Sequence, residues 1–192
     1  MKYTKEVIPV IPPKEIVTGH PAAPVTIMMF GDYESEASAR ANEAVKELLE
    51  KFEGSVNFIF RHFPLTRIHQ KAHKAAEAAI GAAQEGLFWE MHQHLFTHKQ
   101  NLGVISLKSY AREVGVKDKK FLDHLINSDW GWFVQDDLKE GLRMGVTEIP
   151  VLFINGTRFE KDPSFRNLKQ HIEGLLSHQP SIADKRKEKK RA

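Results

Sequence analysis

Apolar residues fall along this chain in two rhythms. From Val25 to Phe30 they run almost unbroken, as a strand covered on both faces requires. Gly31 and Asp32 interrupt the run. After Ser35 the spacing lengthens: Ala41, Ala44, Val45, Leu48 and Phe52 recur every three or four positions, the buried stripe of an amphipathic helix. That helix stops near Glu53-Gly54, glycine being the usual terminator. Val56, Phe58 and Phe60 then alternate with Asn57, Ile59 and Arg61, which predicts a second strand. Strand, helix and strand in so short a stretch predict a right-handed βαβ unit with parallel strands. Such a unit presents the first turn of its helix, with unpaired N–H groups and a positive dipole, at the carboxyl edge of a sheet.

From Arg67 to Val146 the period is helical almost throughout. Ala72, Ala75, Ala76 and Ala79 form one small-residue face that ends at Gly86, and Trp89, Met91, Leu95 and Phe96 form another. Leu107–Val114, Phe121–Ile126 and Phe133–Met144 predict three further helices, with Trp130, Trp132 and Phe133 read as core. Val151–Ile154, Asn155-Gly156 and Thr157–Glu160 predict an antiparallel hairpin, because Asn-Gly supplies the two positive φ angles of a type I′ turn. Phe165–Leu176 predicts a last helix. At the other end, Val7–Ile11 reads as an edge strand limited by its prolines, and Gly19–Pro24 as a loop.

Composition narrows the chemistry. A chain of 192 residues, 41% apolar, suits one domain with an inserted subdomain. It has no cysteine, which excludes dithiol exchange, thiolate catalysis and Cys-ligated zinc. The net charge of +3 belongs to the tail: Asp184–Ala192 holds six Lys or Arg and two acids, a balance of +4 that leaves the rest of the chain at −1. That tail is expected to be disordered and solubilising. The body offers no basic stripe with interleaved aromatics, so no nucleic-acid partner is expected. No stretch reaches the roughly 20 apolar residues of a membrane span. Pro9, Pro12 and Pro13 interrupt the only apolar run near the start, so the sequence as it stands reads as cytoplasmic, or periplasmic had a signal segment been removed.

The junction at Gly31-Asp32-Tyr33-Glu34-Ser35-Glu36-Ala37-Ser38 resembles the thioredoxin superfamily, and within it the DsbA-like branch, which carries GDY-x-C-x-x-C there. The resemblance continues in Arg61-His62-Phe63-Pro64-Leu65, Ala75-Ala76-Glu77-Ala78, Phe88-Trp89-Glu90-Met91-His92 and Leu138–Gly156, covering residues 20–176 in order. It implies an α/β, thioredoxin-like fold, a central mixed sheet flanked by helices with an inserted all-helical subdomain. The implied division is an N-terminal extension at 1–20, a first core half at 21–66, a helical insertion at 67–146, a second core half at 147–178 and a basic tail at 179–192. It also implies a disulfide oxidoreductase ancestry, but serine holds both cysteine positions.

The former redox positions Ser35, Glu36, Ala37 and Ser38 are the first candidate site. A cysteine thiol, with a reference pKa of about 8.5, falls to roughly 3.5–7 at a helix start; a serine hydroxyl does not ionise there and forms no disulfide. Ser35 is expected to be the helix N-cap. Activated serine chemistry needs a neighbouring base, and no spacing designates His62, His69 or His73. Kappa-class glutathione transferases and a related isomerase, which belong to the resembled group, keep serine here to hold the thiolate of glutathione. Glutathione is therefore the alternative ligand, opposed by the acids Asp32, Glu34 and Glu36. The second candidate is Ile149-Pro150: the resemblance implies a cis bond there and a main-chain edge that receives an extended peptide.

Histidines number ten, with His92, His94 and His98 on one segment and His69 and His73 on another. Exposed helix positions account for them, and no metal site is expected, since a third ligand is needed in each case. The reading reached is a DsbA-like protein lacking both redox cysteines, a redox-inactive domain that binds an extended peptide or protein partner and needs no cofactor. Alternatives are a glutathione-binding transferase or isomerase using Ser35, and a Cys-to-Ser form of an active oxidoreductase. The resemblance adds one named partner, a sodium/proton antiporter, because some DsbA-like domains of this branch are attached to or associated with such transporters.

Overall fold

Among the described residues the apolar run at Val25 becomes the centre of a five-stranded mixed sheet. The computed structural model of the chain describes residues 15–20 and 22–177. Its elements run β1 (Val17–Gly19), β2 (Val25–Gly31), α1 (Glu36–Lys51), β3 (Val56–His62), then the helices α2 (Ala72–Ala83), α3 (Phe88–Thr97), α4 (Val104–Val114), α5 (Phe121–Asn127) and α6 (Gly131–Arg143). β4 (Val151–Ile154), β5 (Thr157–Arg158) and α7 (Phe165–Ser177) complete it. The sheet order is β1-β3-β2-β4-β5, with β2 and β3 parallel and the other neighbouring pairs antiparallel. This is the thioredoxin-like arrangement, with five helices between β3 and β4. Among the described residues no helix is long and apolar enough to cross a membrane.

The pleat of β2 and β4 sorts their side chains into two cores, as a period of two requires. Ile27, Met29, Leu152 and Ile154 join Val45 and Leu48 of α1 and Leu168 and Ile172 of α7. Phe30, Val151 and Phe153 turn the other way, toward Phe63 and Val146, with Ile149 packed against them. Register enforces the match, since Met29 lies opposite Leu152 and Phe30 opposite Val151. At the hairpin, Asn155 and Gly156 have φ of 50° and 81°, the two positive values of a type I′ turn.

Several expectations need correction. The edge strand placed at Val7–Ile11 lies outside the described residues, as does the tail. β1 falls where the extension and a loop were expected, and Gly19 ends it at φ 103°, where an added Cβ would lie 2.5 Å from the Val56 carbonyl oxygen. β5 stops at Arg158, short of Glu160. Trp132 is not core but 74% exposed. The buried face of α6 runs through Gly131, Val134, Asp137 and Gly141, and Trp132 stands one residue, about 100° of helix, off that line.

The histidines are not free surface groups either. His92 is 3% exposed, because it falls on the same face of α3 as Phe88, Met91, Leu95 and Phe96. Its Nε2 lies 2.8 Å from Asn42 Oδ1, an acceptor, so this nitrogen carries the proton and Nδ1 accepts from the Tyr33 hydroxyl at 2.9 Å. Burial, with His62 as the lesser cause, pushes the His92 pKa down to about 3; burial, then Asp137, pushes that of Tyr33 well above its ordinary value. His69 and His73 bond Asp32 and Glu77 at 2.8 and 3.0 Å, while His94 and His98 stack at 4.3 Å beside Tyr110. Among the described residues no group of three His, Cys, Asp or Glu could hold a metal ion.

A second polar knot fastens α6 to β3. The face of β3 expected to be polar is covered, and Arg61 is buried on it. Its Nε donates to Asp137 Oδ1 at 2.6 Å and a terminal nitrogen to Glu140, while the His62 N–H and Nδ1 both meet Asp137 Oδ2 at 2.9 Å. Burial alone would lower the Arg61 pKa, but the two carboxylates outweigh it and raise it. Breaking such a pair by removing one partner leaves a buried charge uncompensated.

Two outcomes follow. The unfolded chain takes up the His92 proton near pH 6.5 and the folded chain only near 3. Between these values the unfolded state binds more protons, so stability falls as pH drops through that window, by up to about 1.4 kcal/mol per pH unit from this group. Urea unfolding at pH 4–7 will show a shallower slope for His92→Gln, whose amide keeps both hydrogen bonds without titrating. Gly141→Ala will destabilise by about 1–2 kcal/mol despite the better helix former, because its Cβ would meet the Phe63 ring at 2.7 Å and Phe30 at 3.1 Å; thermal unfolding measures this.

Candidate functional site

The buried end of β2 fixes where α1 begins. After Gly31 the chain turns through Asp32, Tyr33 and Glu34, and Ser35 caps α1 with extended dihedrals (φ −82°, ψ 122°). The Ser35 Oγ accepts the Ser38 N–H at 3.1 Å, satisfying one of the donors a helix start leaves unpaired. The Ser38 Oγ in turn accepts the Asp32 N–H at 3.3 Å. Both serines are buried, Ser38 completely and Ser35 to 6%. Among the described residues no histidine or carboxylate bonds either hydroxyl; both accept backbone N–H groups.

Asp32 is the anchor of this corner. It is 2% exposed, and its carboxylate accepts the N–H groups of Glu34 at 2.8 Å and Leu65 at 2.9 Å and the Nδ1–H of His69 at 2.8 Å. Glu34 accepts the Lys71 N–H at 2.7 Å. Glu36 faces Lys99 at 3.2 Å and Arg40 at 3.8 Å. The three acids expected to crowd the helix start with unopposed negative charge are thus each tied to a donor or a cation.

Beside this corner the Ile149–Pro150 peptide bond is cis. Pro150, Glu36 and Ala37 share an open groove of ≈ 690 Å³. Its floor is made of small and apolar side chains, among them Ala41, Ala44, Phe96 and Phe165, and its walls carry Arg40, Glu43, Glu47, Lys99 and Asp162. The structure therefore gathers three of the sequence candidates, Glu36, Ala37 and Pro150, on one surface. Ser35 and Ser38 are not in its walls, and Ile149 packs against the core cluster around Phe30. Glu43, Glu47, Lys99 and Asp162 were not singled out from sequence. The first two had a signal: with Glu36 they stand seven and eleven residues apart, within about 20° of one line along α1 at 100° per residue. Lys99 and Asp162 come from distant segments and had none.

The model of the thioredoxin family matches residues 12–174 of the sequence. The chain is 36% identical over 151 residues to a protein of Salinispora tropica named Na(+)/H(+) antiporter NhaA 3, a match covering 79% of this chain and 23% of that protein. It is 36% identical over 152 residues to Na(+)/H(+) antiporter NhaA 1 of Mycolicibacterium gilvum, covering 78% and 25%. The chain therefore spans about a quarter of the length of these relatives. Among solved structures, BdbD from Bacillus subtilis superposes with a TM-score of 0.75 at 23% identity, covering 84% of this chain and 92% of that one. The thiol-disulfide exchange protein alpha-DsbA2 from Wolbachia pipientis does so with a TM-score of 0.70 at 21% identity, covering 83% and 86%. Sheet order, helical insertion and sequence match agree: the chain belongs to the thioredoxin family, with the DsbA-like arrangement and no cysteine at the two positions where that branch has them.

Proposed function

We propose that this chain is a binding module on the thioredoxin fold, without thiol-disulfide activity of its own, and that the groove beside Pro150 receives an extended segment of a protein partner. The observation that carries the reading is the groove itself: it is open and floored by small and apolar side chains, while the hydroxyls that replace the thiols are buried in the turn behind it. Main-chain pairing at such an edge provides affinity without any covalent step. Because its relatives are named as sodium/proton antiporters, we take a transporter of that kind as the partner. Glutathione is the less favoured ligand, since Ser35 does not reach the groove surface and two acids, Glu34 and Glu36, stand beside the helix start.

The native chain will reduce insulin no faster than blank, and the double variant Ser35→Cys, Ser38→Cys will gain a measurable rate; turnover by the native chain overturns the proposal. Calorimetry with S-carbamidomethylated insulin B chain, an extended polypeptide whose capped thiols add no charge, will show binding that Ala37→Trp weakens at least tenfold while circular dichroism stays unchanged. Undiminished binding would place the contact elsewhere. Glutathione at millimolar concentration will give no heat.

A further inference from the structure

The groove has a charge bias that an empty peptide site does not need. Glu36, Glu43, Glu47 and Asp162 outnumber Arg40 and Lys99 in its walls. Both of those cations turn to Glu36, and among the described residues Glu47 and the Asp162 carboxylate have no cationic partner, while Glu43 has only Lys46 at 4.0 Å. The acids of α1 form a stripe from Glu36 to Glu47, about 16 Å of helix. The sequence holds one segment of opposite sign and matching length: Lys185, Arg186, Lys187, Lys189, Lys190 and Arg191, with Glu188 among them. Its seven residues reach about 23 Å when extended, enough to lie along the whole stripe.

Reach allows the two to meet. α7 begins at the groove with Phe165 and ends at Ser177, about 18 Å away along its axis. Residues 178–184 can span up to about 23 Å, enough to return to the groove before the basic run starts. Tethering raises the local concentration of such a segment to about the millimolar range, so even weak attraction between exposed charges keeps the site partly filled.

We propose that residues 185–191 of the chain dock along the acidic side of the groove and regulate it as a competing occupant. This rests on the groove being the peptide site proposed above, and it adds that an incoming partner must displace the chain's own tail and that its preferred segment is basic.

The test compares the native chain with a full-length variant in which the six Lys and Arg of 185–191 are serine. A fluorescein-labelled synthetic copy of residues 185–191 serves as the probe, read by polarisation. The variant will bind the probe at least fivefold more tightly than the native chain, and adding Glu43→Lys and Glu47→Lys to the variant, or 0.5 M salt, will abolish binding. Equal probe affinity for native and variant chains, or none for either, overturns the inference. S-carbamidomethylated insulin B chain separates the two claims. If it binds and Ala37→Trp blocks it while the basic probe fails, only the tail's role falls. If neither ligand binds, the peptide-site reading falls with it. Vesicles of phosphatidylcholine and phosphatidylglycerol (3:1) form the last arm: native chain held on them by its tail, with probe affinity unchanged by the serine substitutions, assigns the tail to lipid and overturns the proposal.

Discussion

The Asp32 carboxylate holds the corner on which everything else is arranged. It sits where β2 ends, out of water, and accepts bonds from Glu34, Leu65 and His69, two of which belong to the segment after β3. Its own N–H bonds Ser38 and its carbonyl oxygen accepts the Ser35 N–H at 3.1 Å. A buried carboxylate without such donors would carry a desolvation cost of several kcal/mol. With them, the start of α1 is fixed relative to the chain that leaves β3, and the groove wall formed by Glu36 and Ala37 is held against Pro150.

At this corner oxygen does what sulfur is not needed for. The Ser35 hydroxyl is a good helix cap, worth about 1 kcal/mol, and Ser38 closes the turn onto Asp32. Neither residue forms the groove, whose surface comes from the outer face of α1, from Phe96, Thr97 and Lys99, from the stretch Asp162–Phe165 and from Pro150. The hydroxyls at the two former cysteine positions and the surface proposed to bind a partner therefore occupy different atoms. One can be lost while the other keeps its shape, and this separation is the physical basis of the proposed binding role.

How much of this could be read from the chain depends on how local each signal is. The β2–α1–β3 unit was plain because the hydrophobic period changes abruptly at Gly31 and again at Gly54. The Asn155-Gly156 hairpin was plain because its turn geometry admits few residue pairs. Ser35 is legible as a cap because few side chains other than Ser, Thr, Asp and Asn accept the first free N–H groups of a helix. β1 was missed: three residues around a glycine carry no period, and only pairing with β3 makes them a strand. His92 and Arg61 looked like surface polar groups because their partners lie 50 or more residues away, and a buried polar residue betrays itself only through its partner. Trp132 failed in the opposite sense, since size suggested burial and its place one residue off the buried line of α6 decided against it. The groove was half visible, through Glu36, Ala37 and Pro150, and its far walls were not, because they come from three separate segments.

The sheet is closed at its sides by very little: β1 contributes three residues and β5 two. Margins so brief offer few free main-chain donors and acceptors to a passing strand, which is how β proteins keep from sticking to one another edge to edge. In a molecule proposed to hold extended chains, that brevity discourages pairing along the outer margins β1 and β5 and leaves the main chain beside Pro150, in the cleft along α1, as the place where a visitor can settle and leave again.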